Sequence, residues 1–321
     1  NQAYLNSIFD RKLKQEVKHL NGVDLNQYIA TLDGELSDLL SFIQDQPNVQ
    51  IVNTAQRHYV KQVADSDPDF AGLPILSASA PFQFKQSTNP FFYLNAGEID
   101  LNQALGLYAY DNKLVVLKIN GQNVKEWLEC SASFFEQIDP EDLEPQMLTN
   151  QSQFPAYHFD VIDGIDYQID ITQPARYNAQ CQLINPGTER VVNVRFKGKS
   201  LDRNQWFLIA TNNFRAYGGG FPGTGKNAVV IDSPYDNRLI VADYLQRLNA
   251  RDGNIRTSVD NNWSLKPIDS RQPLDIRFRS PNNKLATGFI QRNTYYPMTL
   301  LKSGEKGWNE YRIHLTPDRS N

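Results

Sequence analysis

Apolar residues recur at helical spacing over Gly34 to Gln44, where Leu36, Leu39, Leu40 and Ile43 share one face, and Pro47 is expected to end that helix. Asn48 to Asn53 alternates like a short strand, and Thr54 to Ala64 predicts a second helix. The run Ile75 to Ser79 leads through Pro81 into a Phe- and Asn-rich loop that reaches Asp100. Leu101 to Tyr108 predicts a short helix and Lys113 to Ile119 a strand. Asn120-Gly121 then turns the chain into a helix over Val124 to Phe135, with Val124, Trp127, Leu128 and Phe135 on one face. The middle of the chain changes period. Tyr167, Ile169 and Ile171 alternate with polar residues, as do Val192, Val194 and Phe196, which marks half-buried strands. Gln205 to Thr211 is apolar on both faces and belongs at the centre of a sheet. Arg238 to Leu248 predicts a further helix, and from Asp252 onward short alternating pieces suggest a β tail. Asn1 to Thr31, polar with apolar residues at spacings of three and four, reads as a helical lead-in or linker.

Composition narrows the classes. Of 321 residues, 40% are hydrophobic and 21% charged, which indicates an ordinary globular protein. Lys+Arg number 32 against 36 Asp+Glu, and the net charge of −4 has the wrong sign for a basic face that grips a polynucleotide. A small anionic ligand stays open. No apolar run is long enough to span a bilayer, so no membrane partner is expected. Asn1 to Arg11 lacks the layout of a signal peptide, and the numbering reads as starting inside a longer precursor. Four histidines, His19, His58, His158 and His314, are scattered without any paired metal-binding spacing. Cys130 and Cys181 allow at most one disulfide and are equally compatible with two buried thiols.

Local catalytic motifs fail on inspection. Gly220 to Asn227 almost matches a phosphate loop, but Asn227 stands where a hydroxyl is required and Ala228 to Ile231 looks like a strand rather than a helix. Asp65, Asp67 and Asp69 have the early spacing of a calcium loop, yet Phe70 and Leu76 occupy the glycine and glutamate positions, leaving a solvated acidic turn. There is no Gly-x-Ser-x-Gly elbow. What remains is aromatic side chains at strand ends. Phe214 follows the strand Gln205 to Thr211 and precedes Gly218, Gly219 and Gly220, while Tyr110 stands just ahead of the strand at Lys113. Such rings serve either as packing at the rim or as platforms for a ligand. The glycines permit positive φ and close backbone approach.

The run Asp160 to Gly187, followed by Ala210 to Gly225, closely resembles the C-terminal domain of bacterial 2',3'-cyclic-nucleotide 2'-phosphodiesterase/3'-nucleotidases, a branch of the 5'-nucleotidase family. Val52 to Phe82 and Trp127 to Cys130 resemble the same domain, and the likeness runs from about Leu36 to Leu245. It implies an α/β (α+β) fold, a mixed sheet with flanking helices and a β-rich C-terminal tail. The organisation expected from it is a linker over 1–35, a substrate-binding domain over 36–251 and an extension over 252–321 packed on the same body.

The resemblance further implies a parent in which an N-terminal metallophosphatase domain holds two divalent metals and cuts the ester, while the C-terminal domain stacks the base between two rings. By motif position these rings are Tyr110 and Phe214. Asn212, Asn213, Tyr217, Gly218 and Gly219 would line the same substrate site, with the Asn pair and the glycine N–H groups orienting base and sugar. The metallophosphatase motifs are missing from the sequence, so no catalytic residue, metal or cofactor is expected in this chain, which should bind nucleotides without hydrolysing them. Its expected partners are 2',3'-cyclic nucleotides, 3'-nucleotides and nucleosides, together with the N-terminal domain, in the periplasm. Two departures stand out: Phe214 replaces a Tyr common among relatives, and Gly220 stands where 5'-nucleotidases carry an Asp for the ribose. A different class of function stays open, a stand-alone aromatic platform for carbohydrate or cell-wall ligands.

Overall fold

The computed structural model describes residues 24–81, 91–150, 153–305 and 307–315. Trp206–Asn212, apolar on both faces as the sequence suggested, is the middle strand of a five-stranded mixed sheet. The order across the sheet is Val229–Asp236, Lys113–Asn120, Trp206–Asn212, Ile75–Ser79 and Val161–Asp163, with a single parallel pairing, between Trp206–Asn212 and Ile75–Ser79. Alternation sorts its side chains into two layers. Val115, Leu117, Ile119, Phe207 and Ile209 face the largest hydrophobic cluster, which includes Val124, Trp127 and Leu128 of the helix Gly121–Ala132. Leu114, Val116, Leu208 and Ala210 face the opposite way, onto Val60 and Ala64 of the helix Pro47–Ala64 and Ile240 of the helix Asn237–Asp252.

Several expectations need correction. Gly34 to Gln44 is not a helix. Leu36–Ser37 is a short strand paired with Tyr93–Leu94, and the chain then turns through Leu39, Leu40, Phe42 and Ile43, all fully buried. Apolar residues three and four apart gave a helical signal there because the whole turn is enclosed, not because one face of a helix is. Pro47 opens a helix instead of ending one, at the position where a missing N–H costs nothing. Asn48 to Asn53 is consequently helical, and its strand-like alternation reflects burial of Val49, Ile51 and Val52 against different neighbours. Tyr28–Leu32 is a strand paired with Gly97–Asp100; the rest of the expected lead-in lies largely outside the described residues. Residues 82–90 of the expected long loop also lie outside them, and its last part forms the strands Tyr93–Leu94 and Gly97–Asp100.

The C-terminal residues carry more than strands. Trp263–Leu265 joins the edge of the sheet built on Asp166–Ile169 and Val191–Phe196. Ile276–Pro281, Trp308–Ile313 and Met298–Glu305 form another sheet with Gln146–Met147, and the unexpected helix Lys284–Asn293 buries Ala286, Phe289 and Ile290 beside it. Apolar residues from Leu39 to Leu315 share one hydrophobic cluster. No described helix is long and apolar enough to cross a membrane.

The sequence left the cysteines open; the structure joins them. Cys130, at the buried end of Gly121–Ala132, bonds to Cys181 across a sequence separation of 51, with Cα atoms 5.3 Å apart. Reduction is expected to add about two mass units and, by the chain entropy released from a loop of that size, to lower stability by roughly 4 kcal/mol. Intact mass and urea unfolding with and without reductant check this.

A second expectation concerns Asp45. Burial, and after it the negative charge of Asp260, push its carboxyl up to about 7. A raised carboxyl favours the folded state while protonated, so this contribution is complete below the unfolded pKa, about 4, and is lost as pH rises through about 7. Stability of the native protein relative to Asp45→Asn is therefore expected to fall between about pH 4 and 7, by up to about 4 kcal/mol, and to level off above. Paired urea titrations across that range measure it.

Candidate functional site

Lys113–Asn120 and Trp206–Asn212 run antiparallel with Asn212 opposite Leu114. The chain therefore enters the first strand and leaves the second at the same end of the sheet. Tyr110 lies just before that entry, and Phe214 just after that exit, in the short helix Asn213–Tyr217. The two segments are tied to each other. The Asn212 Nδ2 donates to the Tyr108 hydroxyl at 2.7 Å, and the Lys113 N–H donates to Asn213 Oδ1 at 3.0 Å. On the other side of Tyr110, the Asn237 N–H donates to the Asn112 carbonyl at 2.9 Å and Arg238 Nη2 to Asp111 Oδ1 at 2.9 Å. Both residues are nevertheless partly exposed, Tyr110 with 37% and Phe214 with 41% of its surface accessible. Burial of its hydroxyl end, and then the neighbouring Tyr157, raise the pKa of Tyr110.

Beneath Phe214 sits a buried ion pair. Arg215 Nε donates to both oxygens of Asp160, at 2.7 and 2.8 Å, and Trp127 Nε1 donates to the same carboxylate at 2.9 Å. Arg215 Nη2 also donates to the Tyr157 carbonyl at 2.7 Å. Neither charged side chain exceeds 2% exposure. Burial works against the Arg215 charge, but Asp160 more than restores it and leaves the guanidinium pKa above its ordinary value. Around this pair the rings interlock. Tyr157 meets Phe214 edge to face, centroids 6.2 Å apart at 82°; His158 lies 6.0 Å from Phe214 and 5.5 Å from Phe221, which stacks on Trp127 at 5.2 Å. Burial lowers the His158 pKa.

The residues singled out from sequence meet different fates. Tyr110, Asn213 and Phe214 lie at the same end of the sheet, Tyr110 before Lys113–Asn120 and the other two after Trp206–Asn212. Asn212 is buried, and its carboxamide is occupied within the protein, accepting from the Arg215 N–H at 2.9 Å as the helix cap and donating to Tyr108. Tyr217 is exposed, and its hydroxyl turns away to donate to Asp232 at 2.8 Å. The Gly218 N–H is taken by the Phe214 carbonyl. Gly219 is needed for space, because a Cβ there would come within 3.0 Å of the Phe221 ring and 3.1 Å of Arg215 Cα; the left-handed backbone falls at Gly220, with φ +70°. The near phosphate loop passes through the single turn Lys226–Ala228 into the strand Val229–Asp236 and opens no α-helix. Among the described residues, no group of three or more His, Cys, Asp or Glu side chains gathers in a way that would hold a metal ion.

Sequence reading missed Tyr157, His158, Asp160 and Arg215. A faint signal existed for two of them alone, Asp160 and Arg215, as charged residues close to the ends of the buried strands Val161–Asp163 and Trp206–Asn212. Removing one partner of such a pair strands the other charge, so Asp160→Asn and Arg215→Met are each expected to cost about 3–5 kcal/mol, and the double variant less than their sum. Urea unfolding of the four proteins measures the coupling.

Residues 29–224 match the family described as 5'-nucleotidase, C-terminal domain. The chain is 44% identical over 294 residues to the 2',3'-cyclic-nucleotide 2'-phosphodiesterase/3'-nucleotidase of Yersinia enterocolitica, which covers 91% of this chain and 45% of the relative. To the Salmonella typhimurium protein of the same description it is 46% identical over 280 residues, covering 86% of this chain and 43% of the relative. It thus spans less than half the length of these curated relatives. The crystal structure of the 5'-nucleotidase precursor from Thermus thermophilus superposes with a TM-score of 0.55 at 16% identity, covering 81% of this chain and 42% of that one, and shares the fold. By the extent of these matches, the chain belongs to the 5'-nucleotidase C-terminal domain family.

Proposed function

We propose that this chain is the nucleotide-binding, substrate-specificity part of a periplasmic 2',3'-cyclic-nucleotide 2'-phosphodiesterase/3'-nucleotidase, holding the base between Tyr110 and Phe214. The observation that carries the reading is that these two half-exposed rings leave neighbouring strands at the same end of the sheet. The relatives' descriptions supply the substrate class. Base–aromatic stacking contributes about 1–3 kcal/mol per contact and accepts any base, because each has a π-face. Two such contacts suit a domain that must take many nucleotides and release products readily.

Sugar and phosphate would then project from the slot toward the solvent side. In this reading the ester is cut by an N-terminal metallophosphatase domain carrying two divalent metals, and the present chain contributes recognition alone. Asn213 supports the slot by holding the Lys113 backbone, and Asn212 by capping the helix that displays Phe214. Neither role requires contact with the ligand.

Titration of this chain with 3'-AMP, followed by aromatic fluorescence, is expected to show binding that Tyr110→Ala and Phe214→Ala each weaken by about 1–3 kcal/mol. Unchanged affinity in both variants would remove the sandwich. Displacement by simple sugars but not by nucleosides would instead favour a carbohydrate platform. No phosphate is expected to be released from 3'-AMP by this chain with added Mn²⁺.

A further inference from the structure

We propose that Tyr157 is a specificity-determining side chain of the base site, its hydroxyl hydrogen-bonding to the edge of the heterocycle whose faces are held by Tyr110 and Phe214. The inference rests on the stacking reading above and adds what that reading lacks, a polar group able to tell one base from another.

Tyr157 neighbours both proposed walls. Its ring stands at 82° to Phe214 with centroids 6.2 Å apart, and after burial it is the next cause that raises the pKa of Tyr110. A base lying flat on Phe214 is therefore roughly perpendicular to the Tyr157 ring and cannot stack on it. Edge contact is the arrangement left. Among the described residues, the Tyr157 hydroxyl makes no hydrogen bond, and 37% of the residue is exposed.

Its position is also fixed beforehand. Tyr157 lies in the single turn Ala156–His158, which follows Pro155. Its carbonyl accepts from the buried Arg215 Nη2 at 2.7 Å, and the His158 ring backs it edge-on at 4.7 Å and 87°. The same guanidinium thus places Phe214 through the backbone of its own helix and Tyr157 through a hydrogen bond. A phenol both donates and accepts, so it can meet ring nitrogens, carbonyls and exocyclic amines with unequal strength. All bases would be admitted, with graded preference.

Tyr157→Phe removes only the hydroxyl. Binding of 3'-AMP, 3'-GMP, 3'-CMP and 3'-UMP is expected to weaken roughly two- to tenfold, the worth of one hydrogen bond, and by different factors, so that the ratios among the four dissociation constants change. The thermal midpoint should stay where it was, as the lost group has no hydrogen-bond partner among the described residues. No loss, or the same factor for all four nucleotides, overturns the proposal. Phe214→Ala run alongside separates the two readings. If Phe214→Ala leaves binding intact, the stacking account fails; if it weakens binding while Tyr157→Phe does not, only the role of Tyr157 falls.

Discussion

The ion pair between Asp160 and Arg215 is the constraint on which the site depends. It joins three segments: the strand that begins just after Asp160, the helix that displays Phe214, and the turn that carries Tyr157. A buried ion pair is a poor source of net stability, because withdrawing both charges from water offsets most of their attraction. Its value here is positional. Arg215 has its Nε and Nη2 donors assigned to Asp160 and to the Tyr157 carbonyl, so moving any one segment leaves a buried donor or acceptor without its partner. Trp127 adds a third fixed point and links the pair to the core through its stacking on Phe221.

The sheet supplies the rest of the geometry. Antiparallel register brings the approach to one strand and the exit from its neighbour to a common end, and the cross-links from Asn212 to Tyr108 and from Asn213 to Lys113 keep the two segments from separating. Asn212 and Asn213 thus serve as scaffold for the rings. The same division of labour appears in the glycines. Gly219 leaves room for Phe221 against Arg215, whereas Gly220 supplies the left-handed turn that redirects the chain.

Where local pattern and tertiary setting agree, the sequence was readable. Trp206–Asn212 is apolar on both faces because both faces are covered, and its central place followed from that alone. Tyr110 and Phe214 were visible because each sits in a polar or glycine-containing context at a strand end. Leu36 to Ile43 misled because burial on all sides imitates a helical stripe, and Pro47 because a proline marks the start of a helix as readily as its end. Asp160 and Arg215 stand 55 residues apart, and nothing local to either reveals the other. Tyr157 lacked any composition signal. Only packing shows that it stands beside Phe214.

Tyr110 and Phe214 flank adjoining strands of one well-packed sheet, so the backbone that carries them is positioned when the chain folds. Segments held in this way have little ordering entropy left to lose in any contact they make. A frame anchored in this way also moves as one: any displacement of the sheet carries the segments that bear both rings with it.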